Sequence, residues 1–316
     1  MDKGTKILII INTILLVVLG ILYFILFSDS KSDRNHRRIR PTNVAQMKEL
    51  PDIAEDRDSL QDMIRYTLGN DVQKFAIYLF RPGIENQPLI FQSRPMRPAS
   101  MIKMFVLAKI MQDAKDGTLA LDELIPITAN NIVGGAGSIA GEGAGARVSI
   151  RKAAELMIIE SDNTATNILI DRVGMENLNQ YIRSNGYNDT IVNHKMMLQQ
   201  GNTNLSSAAD LGMLFTKIYE HKCVDEYYDQ LMISYLLKQN DRDCFPAALP
   251  YWNIAHKTGE VDNLYDDGGI FYGAQGDFVL VIMNDNYETR GETIDKMKNI
   301  ASNIARDYMV DNYAKR

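Results

Sequence analysis

A serine and a lysine three positions apart, Ser100 and Lys103, are the residues of this chain best placed for covalent chemistry. They follow Arg97-Pro98-Ala99 and open an apolar stretch of Met101, Ile102, Met104, Phe105 and Val106 with helical character. On a helix, a spacing of three puts both side chains on one face, one turn apart. It also sets the hydroxyl at the positive end of the helix dipole. A serine hydroxyl is a poor nucleophile until a base takes its proton. A lysine can be that base when burial and nearby positive charge lower its pKa. The apolar neighbours predict such burial, against the alternative of a capping serine beside a solvated lysine.

Two further strings follow in order. Ser161-Asp162-Asn163 begins 61 residues after Ser100, between two apolar helical runs, where a polar turn can project into a cleft or cap the next helix. Lys257-Thr258-Gly259 begins 96 residues after Ser161 and closes a strand-like run, residues 252–256. Each string alone is weak. The set S-x-x-K, S-D-N and K-T-G in this order resembles class A β-lactamases and penicillin-binding serine hydrolases.

The resemblance covers residues 56–316 and implies roles. Ser100 is acylated and Lys103 takes its proton. Ser161 passes a proton to the leaving nitrogen, Asn163 hydrogen-bonds the substrate amide, and Asp162 braces the loop. Lys257 supplies positive charge near Ser161 and the substrate carboxylate, which Thr258 hydrogen-bonds. The backbone N–H groups of Ser100 and Glu260, with Gly259 before the latter, form the oxyanion hole, often the largest single catalytic term. No cofactor or metal is implied.

There are two departures. The family's deacylating glutamate is expected some 35 residues past the S-D-N serine, yet no Asp or Glu lies between Thr190 and Ala209. Asp189 and His194 are the substitutes at hand. The strand arginine that often binds the β-lactam carboxylate is replaced by glycine at Gly268-Gly269-Ile270. Acylation machinery is thus retained and water activation weakened. Three readings follow: a β-lactamase-family hydrolase with slow turnover, a D,D-peptidase acting on peptidoglycan stem peptides, or a non-catalytic receptor for β-lactams or cell-wall peptides. A signalling receptor needs a cytoplasmic output, and residues 1–6 offer little.

The elements that position these residues are legible as periodicities. A helix is expected from Asp58 or Ser59, with Leu60, Met63, Ile64, Thr67 and Leu68 at helical spacing. Strand-like runs cover 74–80 and 88–92, helical character runs from 100 to about 237, and strands return at 252–258, 269–272 and 278–284. Ile294, Met297, Ala301, Ile304, Ala305 and Tyr308 mark a last helix. Strands at both ends and helices between predict an α/β (α+β type) fold. Its mostly antiparallel sheet is flanked by helices, from residues 56–100 and 251–316, with an all-helical lobe, 101–250, inserted. Such junctions favour clefts. The glycine-rich stretch 134–145 lacks the G-K-[ST] of a phosphate loop and is expected to rim the cleft.

The chain has 316 residues and a formal charge of −6, which gives no reason to expect nucleic acid binding; no protein partner is inferable. Cys223 and Cys244 allow one disulfide or two buried thiols. Residues 7–27 form an uncharged apolar run that spans about 31 Å as a helix, the width of a bilayer core. Bulky Tyr23, Phe24 and Phe27 and the lack of an A-x-A pattern argue for a retained single-pass transmembrane anchor rather than a signal peptide. Residues 1–6 form the cytoplasmic tail and 28–55 the linker. The basic residues at 31–40 outnumber Lys3 and Lys6, which taken alone places the domain in the cytoplasm. Large domains translocate largely regardless of charge, and the implied substrates lie outside the cytoplasmic membrane. The full chain is expected to resist salt extraction from membranes and to leave them only with detergent; recovery in the soluble fraction sinks the anchor.

Overall fold

Strands from both ends of the chain form one sheet. The computed structural model describes residues 53–198, 201–274 and 276–308. In chain order its elements begin with α1 (Ile53–Leu68), β1 (Phe75–Phe80), β2 (Leu89–Phe91), α2 (Lys103–Lys115) and β3 (Leu124–Pro126). Then come β4 (Arg147–Ser149), α3 (Ile150–Ile159), α4 (Asn163–Val173), α5 (Met175–Ser184), α6 (Ala208–Tyr219), α7 (Glu226–Leu236) and α8 (Phe245–Ala248). The last elements are β5 (Asn253–Val261), β6 (Leu264–Tyr272), β7 (Phe278–Asn284) and α9 (Arg290–Asn303). The sheet order is β2-β1-β7-β6-β5, and every pairing in it is antiparallel.

Both faces of this sheet are covered. Successive strand side chains point to opposite faces. Ile77 and Leu79 join Phe271, Phe278, Ile294 and Met297 in one core, which also takes Leu60, Ile64 and Leu68 of α1. Ala76 and Tyr78 join Val279, Val281 and the buried helices in the other. Double coverage explains why β1 and β7 read as nearly unbroken apolar runs rather than as alternations.

Several sequence expectations need correction. Helix α1 starts at Ile53, ahead of Asp58 and Ser59, and takes in the end of the expected linker. Strands β5 and β6 are longer than expected, because they pair with each other from Asn253↔Tyr272 to Val261↔Leu264. The inserted segment is not all helical, since β3 and β4 form a two-stranded ladder within it. Nor is all of it remote from the sheet. Helix α6 lies on the sheet at Gly212, where a Cβ would come 2.1 Å from the Tyr78 ring. The Tyr78 hydroxyl and Thr216 Oγ1 lie 3.0 Å apart there. Cys223 and Cys244 are free buried thiols in different cores. No described helix is long and apolar enough to cross a membrane, and the apolar run 7–27 lies outside the described residues.

Helix α2 is apolar nearly all round, with Met104 to Ala108 fully buried in an unbroken run. That places it inside the core, and its first residue, Lys103, is buried with it.

Candidate active site

Ser100 sits in a tight 3-10 turn, Ala99–Ile102, immediately before α2, rather than on the α-helix itself. The turn is fixed by Met101 N–H donating to the Pro98 carbonyl at 2.8 Å. Ala99 has φ 40°, a left-handed conformation that costs a non-glycine residue about 1–3 kcal/mol. Strand β5 presses against this turn. A Cβ on Gly259 would lie 2.7 Å from the Pro98 carbonyl oxygen, so only glycine allows the approach.

Lys103 is 0% exposed. Its Nζ lies 3.0 Å from Ser100 Oγ, 3.0 Å from Ser161 Oγ, 2.6 Å from the Ser161 carbonyl and 2.9 Å from Asn163 Oδ1. Burial holds its pKa well below the ordinary lysine value, and the charge of Lys257 pushes it the same way against Asp162. A neutral amine has a lone pair to offer, and the hydroxyls of Ser100 and Ser161 are the protons within reach.

Ser161 is itself strained, with φ 55°. Asp162 secures it in two directions. One carboxylate oxygen accepts the Ala165 N–H at 2.7 Å and caps α4; the other accepts the Ile139 N–H at 2.7 Å. The capping and bracing readings of this aspartate are thus one arrangement. The glycine-rich segment closes over the same turn. Asn163 donates its backbone N–H to Ala136 O at 3.0 Å and its Nδ2 to Gly134 O at 3.1 Å. Gly137 has φ 104°, and a Cβ there would lie 2.1 Å from Asp162 Cγ.

Lys257 and Thr258 lie in the middle of β5, not at its end. The fully buried Lys257 donates to Ser161 Oγ at 3.1 Å and to the Thr258 carbonyl at 2.7 Å. Burial pulls its pKa down to about 8, while Asp241 and Asp267 hold it up. Across the ladder, Lys257 faces Gly268. A Cβ on Gly268 would lie 2.7 Å from Met101 Cε, and one on Gly269 2.5 Å from Ala255 O. Backbone packing therefore requires glycine at 269, whereas at 268 the nearest atom is the movable end of Met101.

A cleft of about 560 Å³ opens over this constellation, lined by Ser100, Ser161, Asn163, Thr258 and Glu260. Gly135 and Ala136 bring the glycine-rich loop to its rim. Lys103 and Lys257 lie beneath the hydroxyls, and Gly259, packed against Pro98, does not line the cleft. The Glu260 side chain turns to Arg290, which donates to its two oxygens at 2.7 and 3.0 Å and to Asp243 at 2.9 Å. The cleft also receives Met196, 35 residues past Ser161. Asn167 holds Met196 by its backbone in both directions: Met196 N–H donates to Asn167 Oδ1 at 2.7 Å, and Asn167 Nδ2 donates to Met196 O at 3.1 Å. Asn167 escaped the sequence reading, although it lies one turn past Asn163 on the same helix. His194 lines an adjoining cleft of about 400 Å³, with Nδ1 2.9 Å from Lys195 O, and Asp189 lines neither cleft.

A lysine-served serine in a cleft between a sheet edge and a helical layer defines a serine hydrolase of the β-lactamase type. The family model for the beta-lactamase enzyme family matches residues 58–308, and the chain belongs to that family. A β-lactamase from Sphaerobacter thermophilus shares 22% identity and a TM-score of 0.71, over 78% of this chain and 97% of that one. The structure of PBP-A shares 26% and 0.72, over 79% and 96%. A mutant of PBP-A, solved as an acyl-enzyme complex with penicillin-G, shares 24% and 0.72, over 81% and 97%. No curated protein sequence matches the chain.

Gly137→Ala is expected to lower stability by roughly 1–3 kcal/mol and to slow acylation. Denaturant unfolding and penicillin labelling check this, and an unchanged variant would show that the loop does not brace Asp162.

Proposed function

We propose that this chain forms an acyl-enzyme on Ser100 with β-lactams and releases it slowly. The observation that carries the reading is the buried Lys103 amine, 3.0 Å from both serine hydroxyls. In the acylation step Lys103 Nζ accepts the Ser100 proton as Oγ bonds to the lactam carbonyl carbon. The proton then passes through Ser161 Oγ to the lactam nitrogen as the C–N bond breaks, and Lys103 is neutral again. Backbone N–H groups of Ser100 and Glu260 hold the oxyanion. Asn163 and Thr258 bind the substrate amide and carboxylate, with Lys257 as the nearby charge.

Release of the ester needs an activated water. Met196, held in the cleft by Asn167, cannot take a proton, and a missing general base slows such a step by about 10²–10⁴-fold. The same feature supports a second reading, a penicillin-binding D,D-peptidase acting on peptidoglycan stem peptides; the likeness to PBP-A fits it. In both readings the domain works outside the cytoplasmic membrane, held there by residues 7–27.

Intact-mass analysis with a penicillin should show one equivalent of adduct forming quickly, followed by slow loss. Ser100→Ala should remove the adduct without unfolding the domain; labelling that survives excludes Ser100 as nucleophile. Met196→Glu should shorten the adduct lifetime by about 10²-fold or more. An unchanged lifetime in a folded variant means that position 196 does not face the ester.

Acylation by a penicillin should weaken as pH rises through about 8, where Lys257 loses its proton and the positive charge it offers the substrate carboxylate. Lys257→Arg stays charged and should carry the decline to higher pH. A rate that stays flat above pH 9 in the unmodified protein removes Lys257 from this role.

A further inference from the structure

The charges lining the cleft are one-sided. Glu160, Asp241, Glu260 and Asp262 line it, and among the described residues no lysine or arginine does. Arg290 answers Glu260. The other three carboxylates form no ion pair among the described residues. Glu160 accepts the Ser138 hydroxyl at 2.6 Å. Asp241 accepts the Asp243 N–H at 3.0 Å and the Tyr265 hydroxyl at 3.3 Å. Asp262 stands at the exposed turn between β5 and β6 and lines both this cleft and its neighbour.

Their placement is structural. Glu160 follows the last turn of α3, directly before Ser161. The segment carrying Asp241 is tied to that helix end by Asn240 N–H donating to Ile159 O at 3.0 Å and Gln239 Nε2 donating to Ile158 O at 2.8 Å. Glu160 and Asp241 thus share the Ser161 wall, and Asp262 faces the cleft from the β5 edge. Arg97, which lines the adjoining cleft, is paired with Asp285, and its charge also acts on Asp262 from further off. Beneath the cleft, positive charge among the described residues lies at depth, on Lys257 under Ser161.

We propose that this cleft selects substrates bearing a cationic group, an alkylammonium or guanidinium, outside the reacting amide, with any carboxylate directed inward toward Lys257. The inference rests on the acyl-enzyme reading and adds the charge class of the substrate to it. A cleft lined by one sign of charge raises the local concentration of the opposite sign. It also repels a ligand of its own sign, and salt screens both effects.

The test uses three penicillins on one nucleus whose acyl side chains carry an ammonium, no charge, or a carboxylate. Second-order rate constants for adduct formation are measured by intact mass at low and at physiological ionic strength. The ammonium compound should exceed the carboxylate compound by about tenfold at low salt, with the neutral one between and the ratio shrinking as salt rises. The double variant Glu160→Gln/Asp262→Asn should bring the three constants together and leave the neutral penicillin within about twofold of its original rate. Asparagine keeps the left-handed backbone at position 262, φ 42°. Equal constants in the unmodified protein, or faster reaction of the anionic compound, overturn this inference and leave the acyl-enzyme reading intact. No adduct with any of the three overturns that reading and this inference with it. The unmodified protein's charge series decides the matter even where a variant folds poorly.

Discussion

Two lysine amines are buried beneath one serine, and neither forms an ion pair with a carboxylate among the described residues. A charged ammonium taken out of water without a partner costs several kcal/mol. The cost is relieved when one amine gives up its proton, and Lys103, which feels the charge of Lys257 with only Asp162 to oppose it, is the one favoured to do so. Lys257 keeps a pKa of about 8 because Asp241 and Asp267 lie near enough to support its charge. The division between a neutral amine and a charged neighbour is therefore a consequence of burial, and the site depends on the core that enforces it.

That core accounts for the strain around the site. Helix α2 is buried on nearly every side, so the chain must turn sharply to expose Ser100, and Ala99 takes the left-handed conformation. Ser161 does the same on the opposite wall, where Asp162 holds it with two backbone N–H groups. Gly137 and Gly259 then allow a loop and a strand to come closer than any side chain would permit. Strain at two non-contiguous points, Ala99 and Ser161, is held in place by the packing beneath it.

Much of this was legible in the sequence. The three strings carry their chemistry in residue type and order, and Ser100, Lys103, Ser161, Asn163 and Lys257 do meet. The sheet was legible from strands at both ends of the chain. Less visible were features set by partners distant in sequence. Strand β5 runs past Lys257 because β6 pairs with all of it, and no local signal at Thr258 or Glu260 announces that. Helix α6 reads like any amphipathic helix, and its contacts with Tyr78, through Gly212 and Thr216, assign it to the sheet. The two cysteines could not be told apart from a disulfide until their separate cores were known. The sequence showed that a carboxylate was missing from the loop, but not that Met196 and Met197 line the cleft there.

The hold that Asn167 has on the loop passes through the backbone N–H and C=O of residue 196. Such a grip is indifferent to what projects from the Cα. The loop can therefore keep its path while the identity of that side chain drifts, so shape and reactivity at this point are separable traits. A lineage built on this scaffold could change the chemical character of the cleft at this point by exchanging one residue, with the surrounding architecture left as it is.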